Sequence, residues 1–492
     1  MPGLKSLAKD TAIYGLSSII GKFLNWCLVP FYTYALKESA EYGIVTELYS
    51  WTAVVIVILT YGMETGFFRF VNREDKDPEQ VYSTTLCSLA STSVLFIMLG
   101  LLLLPQISHG IGYTSHPEFI GMMICIVAVD AFSSIPFAYL RYKNRPLRFA
   151  SLKLLSIFIN IFFNLFFIWI CPKIHALYPE WISWFYRPGY EVGYVFVANA
   201  LSTGITLLAL LPDFIHVKLN FNRQLLRQML RYSLPLLVLG IAGIMNQDFD
   251  KIIFKHLFDD PNQAQSQLGI YGACCKIAII MMMFTQAFRY AYEPFVFAKN
   301  RTADNRQAYV EAMKYYIIFA WLIFLVVVFY IDIIKYLISS MYHDGLAVVP
   351  VVLACYLFQG VFFNLSLWYK LTDKTQWGAY ITVFGCLLTV AGNLLFVPRY
   401  GYMAAAWTSF VSYFLMMLVS WALGQKYYPM KYDMKSALFY TILTMVVFVI
   451  GTNLPFSSLV LRLIVRTLLL GVFLLVVLKR DLPFEVFRKV RQ

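Results

Sequence analysis

Sixteen ionisable side chains stand inside stretches that are otherwise apolar for about 20 residues at a time, the length that crosses a bilayer as a helix. Eight are basic: Lys22, Lys153, Lys251, Lys276, Arg289, Lys335, Arg462 and Arg466. Eight are acidic: Glu47, Glu64, Asp130, Glu191, Asp248, Asp250, Glu293 and Asp332. Each charge costs about 2.5–3.5 kcal/mol at the centre of a membrane helix, so it must face neighbouring helices, a wet cavity or an opposite charge. Basic groups at several depths would stabilise an anion such as a diphosphate while it moves across the membrane. Carboxylates at such depths can carry a proton or Na⁺, and they can equally neutralise a neighbouring lysine.

The candidates differ in position. Lys22 lies about 11 residues into the first apolar run, between Gly21 and Asn25. Lys276 and Arg289 share one run, 13 residues or about 20 Å apart along a helix axis and roughly 140° apart around it. Lys251 follows Asp248 and Asp250, so a local ion pair is its first explanation. We take Lys22, Arg289, Lys276 and Lys251 as candidate substrate-binding residues, and Glu64, Asp130, Asp248 and Glu293 as candidate coupling or gating residues. Glu64 has Arg69 five residues on, which suits a gate or a fold-locking pair. Lys153 and Lys335 lie near run ends, the latter with Asp332 three residues back, and snorkelling or local pairing explains both. Arg462 and Arg466 share a helix face where lipid phosphate is an adequate partner.

What positions these residues is a set of membrane helices. Of the 492 residues 60% are hydrophobic and 14% charged, against about 25% charged in soluble domains. Fourteen runs are delimited by charged or Pro/Gly-containing turns: 11–36, 42–67, 81–104, 117–140, 149–171, 191–212, 232–257, 268–297, 315–338, 345–369, 376–397, 401–424, 436–453 and 457–478. The runs do not alternate every second residue, which excludes a β-barrel. The fold class is therefore an all-α polytopic membrane protein. Pro30, Pro136, Pro235 and Pro350 are hinge candidates within it.

Positive residues stay cytoplasmic, so their distribution gives the orientation. With the N-terminus inside, the inner segments hold 27 Lys and Arg and the outer loops 5. Both termini are expected on the cytoplasmic side. The basic residues form no continuous stripe, so the net charge of +13 reads as topology and not as nucleic-acid binding. The largest outer loop, 172–190, carries Tyr178, Trp181, Trp184, Phe185 and Tyr186, aromatic groups that favour the headgroup layer.

Other chemistry is unsupported. No GxxxxGK[ST] phosphate loop occurs, and the six histidines and eight cysteines make no metal-binding or disulfide spacing. An enzyme is not expected, nor any cofactor beyond a coupling H⁺ or Na⁺. A membrane glycan polymerase or ligase is the best enzymatic rival, but it calls for a larger outer loop.

Shifting the chain by 229 residues lays Tyr42-Gly43 on Tyr271-Gly272, Glu64 on Glu293 and Asn164 on Asn393, with charged turns on charged turns. This register suggests two like-oriented six-helix bundles in a parallel pseudo-repeat. The expected organisation is an N-terminal lobe at 1–213, a cytoplasmic linker at 214–231, a C-terminal lobe at 232–424, and two further helices with a tail at 425–492.

Several stretches resemble the polysaccharide flippases, of O-antigen, teichoic-acid and capsule type, within the multidrug/oligosaccharidyl-lipid/polysaccharide superfamily. They are Leu7-Ala8-Lys9-Asp10-Thr11 with Pro30-Phe31 and Glu41-Tyr42-Gly43; Gly62-Met63-Glu64-Thr65 with Phe68-Arg69-Phe70; Asp250-Lys251 followed by Gly269-Ile270-Tyr271; and Asn393-Leu394 with Pro398-Arg399-Tyr400-Gly401. The resemblance implies alternating access through a central cationic cavity. It implies movement of an undecaprenyl-diphosphate-linked oligosaccharide from the inner to the outer leaflet of a bacterial cytoplasmic membrane, with polysaccharide polymerases or glycosyltransferases as partners. A peptidoglycan-precursor flippase is the nearest rival. A multidrug cation antiporter fits less well, because the first run offers Lys22 and no carboxylate between Thr11 and Leu36.

Overall fold

The computed structural model describes Gly15 and residues 19–215, 220–299, 306–372 and 374–481, without the side chains of 291–299 and Ala308. Every regular element among them is helical. This follows from the apolar runs, because a helix satisfies its backbone hydrogen bonds within one segment and so tolerates hydrocarbon.

The principal helices are α1 (Leu28–Ala35), α2 (Ser39–Thr60), α3 (Pro78–Leu102), α4 (Pro117–Tyr142), α5 (Pro146–Leu165), α6 (Glu191–Leu210), α7 (Arg223–Ile253), α8 (Pro261–Lys299), α9 (Arg306–Phe329) and α10 (Val349–Leu365). One long helical stretch, Gln376–Tyr427, bends at Gly401, whose φ of +61° and ψ of −150° no residue with a side chain adopts readily. It is thereby two membrane-length segments, α11 (376–400) and α12 (402–427). Helices α13 (Met434–Thr452) and α14 (Leu459–Arg480) complete the series. Twelve helical stretches among the described residues, the bent one counted once, are long and apolar enough to cross a membrane. The first expected span, 11–36, is described only in part.

The charged turns supply the helix starts. Asp77 accepts from the backbone N–H of Glu79 and Gln80 at 3.1 and 3.3 Å and caps α3. Asn222 caps α7 through Leu225 N–H at 3.0 Å, and Asp433 caps α13 through Ser436 N–H at 3.0 Å. Pro350 lies in the first turn of α10, where it starts a helix instead of bending one, whereas Pro136 and Pro235 lie inside α4 and α7. The expected second span is broken: Tyr61 and Gly62 take φ of +34° and +71°, and a short helix, Met63–Val71, follows.

The chain divides into two compact units. The first comprises Met1–Gly272 with Thr389–Gly401, and the second Ala273–Leu388 with Tyr402–Gln492. In the first, α4 packs on α3 and α6, α5 on α6, and α7 on α2. Met63, Phe67, Tyr82, Leu89, Ile135 and Met229 form a buried cluster there. In the second, α9 packs on α10, α13 and α14, and Cys355, Phe362, Ile381, Tyr413 and Met416 are buried together.

Segment 172–190 is double-faced. Tyr178, Trp181 and Trp184 are exposed, whereas Tyr186 is buried and stacks on Tyr194 of α6 with ring centroids 5.3 Å apart.

Candidate substrate-binding and coupling residues

In the first unit the end of α4 meets the short helix Met63–Val71. Arg141 there pairs with Glu64 and lies over the Phe68 ring at 4.9 Å. Arg69, the partner suggested by sequence proximity, instead stacks on Tyr232 of α7 at 4.0 Å. Asp130, about three turns earlier on the same face of α4, accepts from the Thr203 hydroxyl at 3.4 Å and feels the charge of Lys153 on α5. The Lys153 ammonium lies 4.0 Å over the Phe137 ring. Two acids and two bases are thus gathered at neighbouring helices, and neither acid can take up a coupling ion without weakening its interaction with a cation.

Lys251 is held by its own helix. Its ammonium donates to the Gln247 carbonyl at 2.8 Å and reaches Asp248 and Asp250 at 3.1 and 3.2 Å. Asp250 is 2% exposed, and its second oxygen accepts from the Tyr271 hydroxyl at 2.6 Å. A lysine so neutralised is built to stay where it is, which favours the ion-pair explanation for Lys251 and Asp248 over substrate binding.

Lys22 is exposed on the helical stretch ahead of α1, in the first unit. Lys276 and Arg289 lie on the part of α8 that belongs to the second unit, and both are half-buried. The Arg289 guanidinium lies over the Phe363 ring of α10 at 5.1 Å, an arrangement that fixes its plane. Glu293 is on the same helix, and its side chain lies outside the described residues.

Four ionic features were not legible in the sequence. Arg148 chelates Asp213 with contacts of 2.7–3.1 Å and so ties α5 to the end of α6. Lys314 on α9 pairs with Asp481. Arg466, expected to meet lipid phosphate, is 6% exposed and donates to Asp332 and to two backbone carbonyls. Lys335 reaches the same Asp332 only at 4.0 Å. Glu47, wholly buried on α2, accepts from Tyr113 and Gln265. Among the described residues no three His, Cys, Asp or Glu side chains gather as metal ligands.

Helices of membrane length carrying internal charge pairs define a polytopic all-α membrane protein. A family model described as polysaccharide biosynthesis protein matches residues 7–291, and a second, described as MatE, matches 263–395. The chain belongs to the polysaccharide biosynthesis protein family. No curated protein matches it in sequence. Among solved structures it is similar to a lipid II flippase MurJ in an inward closed conformation, with TM-score 0.73 and 10% identity over 97% of this chain and 99% of that one. It is also similar to an inward-facing multidrug resistance MATE family transporter of the MOP superfamily, with TM-score 0.66 and 13% identity over 85% and 97%. A MATE transporter in its bent conformation gives TM-score 0.59 and 14% identity over 90% and 99%. The fold is that of the MOP superfamily, as the sequence resemblance implied.

Proposed function

We propose that the chain flips a saccharide carried on a polyisoprenyl diphosphate from the inner to the outer leaflet of a bacterial cytoplasmic membrane, both termini remaining cytoplasmic. The observation that carries this reading is the match of the polysaccharide biosynthesis family over residues 7–291. The cargo chemistry agrees: a hydrated diphosphate head cannot cross hydrocarbon unaided, and intramembrane cations are what its passage requires. Lys22 and Arg289 are our proposed diphosphate contacts, with Lys276 in support; a guanidinium is the planar group that suits phosphate oxygens, and that of Arg289 lies over Phe363. Glu64, Asp130 and Glu293 remain proposed coupling or gating residues. The lobes at 1–213 and 232–424, the linker at 214–231 and the appended segment 425–492 are the working division for this cycle. Polymerases or glycosyltransferases of the same glycan are the partners it implies.

A second reading exchanges the polysaccharide repeat unit for the lipid-linked peptidoglycan precursor. Its support is the likeness to the lipid II flippase, which extends over 97% of this chain with a TM-score above that of the multidrug transporters. The two cargoes share the diphosphate and differ in sugar.

The test is flipping in liposomes by the purified protein, run in parallel with a polyisoprenyl-diphosphate repeat unit and with the peptidoglycan precursor. The preferred cargo decides between the readings, and movement of neither rejects both. Lys22→Gln and Arg289→Gln should each abolish flipping at unchanged levels of membrane-inserted protein. Full activity in both would remove these residues from the site.

A further inference from the structure

At one end of the first unit, α2 and the beginning of α8 touch backbone to backbone. A Cβ placed on Gly43 would lie 2.0 Å from the Gln265 carbonyl oxygen, and one on Gly269 would lie 1.8 Å from that of Ser39. One on Gly272 would lie 2.6 Å from the Thr46 hydroxyl. The Ser39 and Ser266 hydroxyls are 2.6 Å apart at the rim of this crossing. It is the end that the lysine and arginine distribution predicts to face outward.

One turn below lies Glu47, 0% exposed. Its Oε2 accepts from the Tyr113 hydroxyl at 2.7 Å and from Gln265 Nε2 at 2.5 Å, and the Gln265 amide also donates to Tyr113 at 2.8 Å. Its Oε1 is buried and meets no donor. The charged or titratable groups whose fields reach it are Tyr113, just after the short helix Leu104–Ile111, and Lys255 and His256 beyond the end of α7. The Lys255 ammonium is engaged elsewhere: it donates to the Ile111 and Gly112 carbonyls at 3.2 and 3.1 Å and lies over the Tyr113 ring at 3.9 Å. Burial and the negative charge of Glu47 push the Tyr113 hydroxyl well above its ordinary 10.0, so Tyr113 remains a donor.

A carboxylate normally fills both oxygens with donors, and a buried oxygen without one is costly when the group is charged. A proton on Oε1 removes the charge and leaves both bonds to Oε2 intact. We propose that Glu47 is a proton-binding site that fastens α2 to α8 at the glycine crossing. With the proton aboard, the carboxyl stays in its cage of Tyr113 and Gln265 and the crossing stays shut. When the cage admits water the proton leaves Oε1 for solvent, the carboxylate is drawn out to hydration, and the helices part; recapture of a proton from solution closes them. The inference deepens the transport reading and rests on it, because it adds to the proposed coupling or gating residues a proton carrier at the glycine crossing.

The experiment places Ser39→Cys and Ser266→Cys together in the full-length protein in liposomes. It measures the oxidised cross-link by mass spectrometry of the joined peptides as pH is raised from acid to alkaline. The cross-link should fall several-fold with rising pH when Glu47 is present. With Glu47→Gln, which keeps the shape and cannot ionise, it should stay high at every pH. Tyr113→Phe, which removes one donor, should lower the yield throughout and keep the pH dependence. A flat profile with Glu47 present, or an unchanged slope in Glu47→Gln, would overturn the proposal. Cross-linking needs no cargo, so pH-dependent closure in a protein that flips nothing sinks the transport reading and spares the proton site. Flipping by a protein whose closure ignores pH does the reverse.

Discussion

The Arg466 guanidinium donates to Asp332 at 2.8 Å and, in the same grip, to the backbone carbonyls of Phe329 and Gly451 at 3.0 and 2.9 Å. One side chain of α14 thereby closes the end of α9 against the end of α13, where carbonyls at helix ends lack partners of their own. Removing one member of a buried ion pair costs about 3–5 kcal/mol, because the survivor keeps its desolvation penalty. Arg466→Leu should therefore lower the unfolding temperature in detergent sharply. Arg466→Leu with Asp332→Leu should recover part of the loss, and equal melting of the single and double variants would count against the pair.

Gly269→Ala should cripple folding or the closed arrangement of α2 and α8, because the added methyl lands on backbone and not on a side chain that can turn away. Overpacking costs about 1–3 kcal/mol where neighbours can shift, and here the neighbour is the Ser39 carbonyl. Gly204→Ala is the control, since nothing lies within 4 Å of a Cβ there. Thermal melts and flipping rates of the two variants should separate clearly, and similar values would show that the crossing tolerates bulk.

Lys251→Gln leaves Asp248 and Asp250 facing each other without their shared cation. We expect a loss of stability on the order of 1 kcal/mol, mostly restored by adding Asp248→Asn, as residues in one network do not act independently. A double-mutant cycle on melting temperature measures the coupling. Loss of flipping in Lys251→Gln at undiminished stability would return this lysine to the list of cargo contacts.

Asp433 lies outside the membrane spans, and its hydrogen bonds to the Ser436 hydroxyl and backbone N–H hold its carboxyl below its ordinary 3.8, with Lys314 and Arg480 adding their positive charge. A carboxyl depressed in the folded state stabilises the fold fully above its unfolded value and loses that contribution as pH falls through the lower, folded one. Melting temperatures of the wild type and Asp433→Asn should therefore differ most above pH 3.8 and converge below it. Asp433→Ala, which also removes the cap, should cost about 1 kcal/mol throughout. A gap that widens with acid would contradict the assignment.

Helices could be read from the sequence because each one satisfies its own backbone; the apolar run and the charged turn are local signals. Partners across helices could not. Lys251 was readable, since Asp248 is three residues away on the same helical face. Glu64 was not: Arg69, five residues on, points about 140° away around a helix, and the true partner, Arg141, is 77 residues distant. Asp332 misled in the same way, because a nearby Lys335 drew attention from Arg466 on another helix. The break at Tyr61-Gly62 was hidden by an apolar run that continues across it, and only the positive φ values reveal it. Glu47 gave no signal beyond being acidic in apolar surroundings, as its cage is assembled from residues 66 and 218 positions away.

The double-faced segment 172–190 has the build of a float: one buried aromatic anchor and several exposed rings. Tyr186 is stacked on Tyr194 of α6 while Trp181 and Trp184 stand exposed, so if those rings sit in the headgroup layer they favour, the segment would couple the height of α6 to that layer. In the transport cycle proposed above, such a segment would serve the helices as a depth gauge.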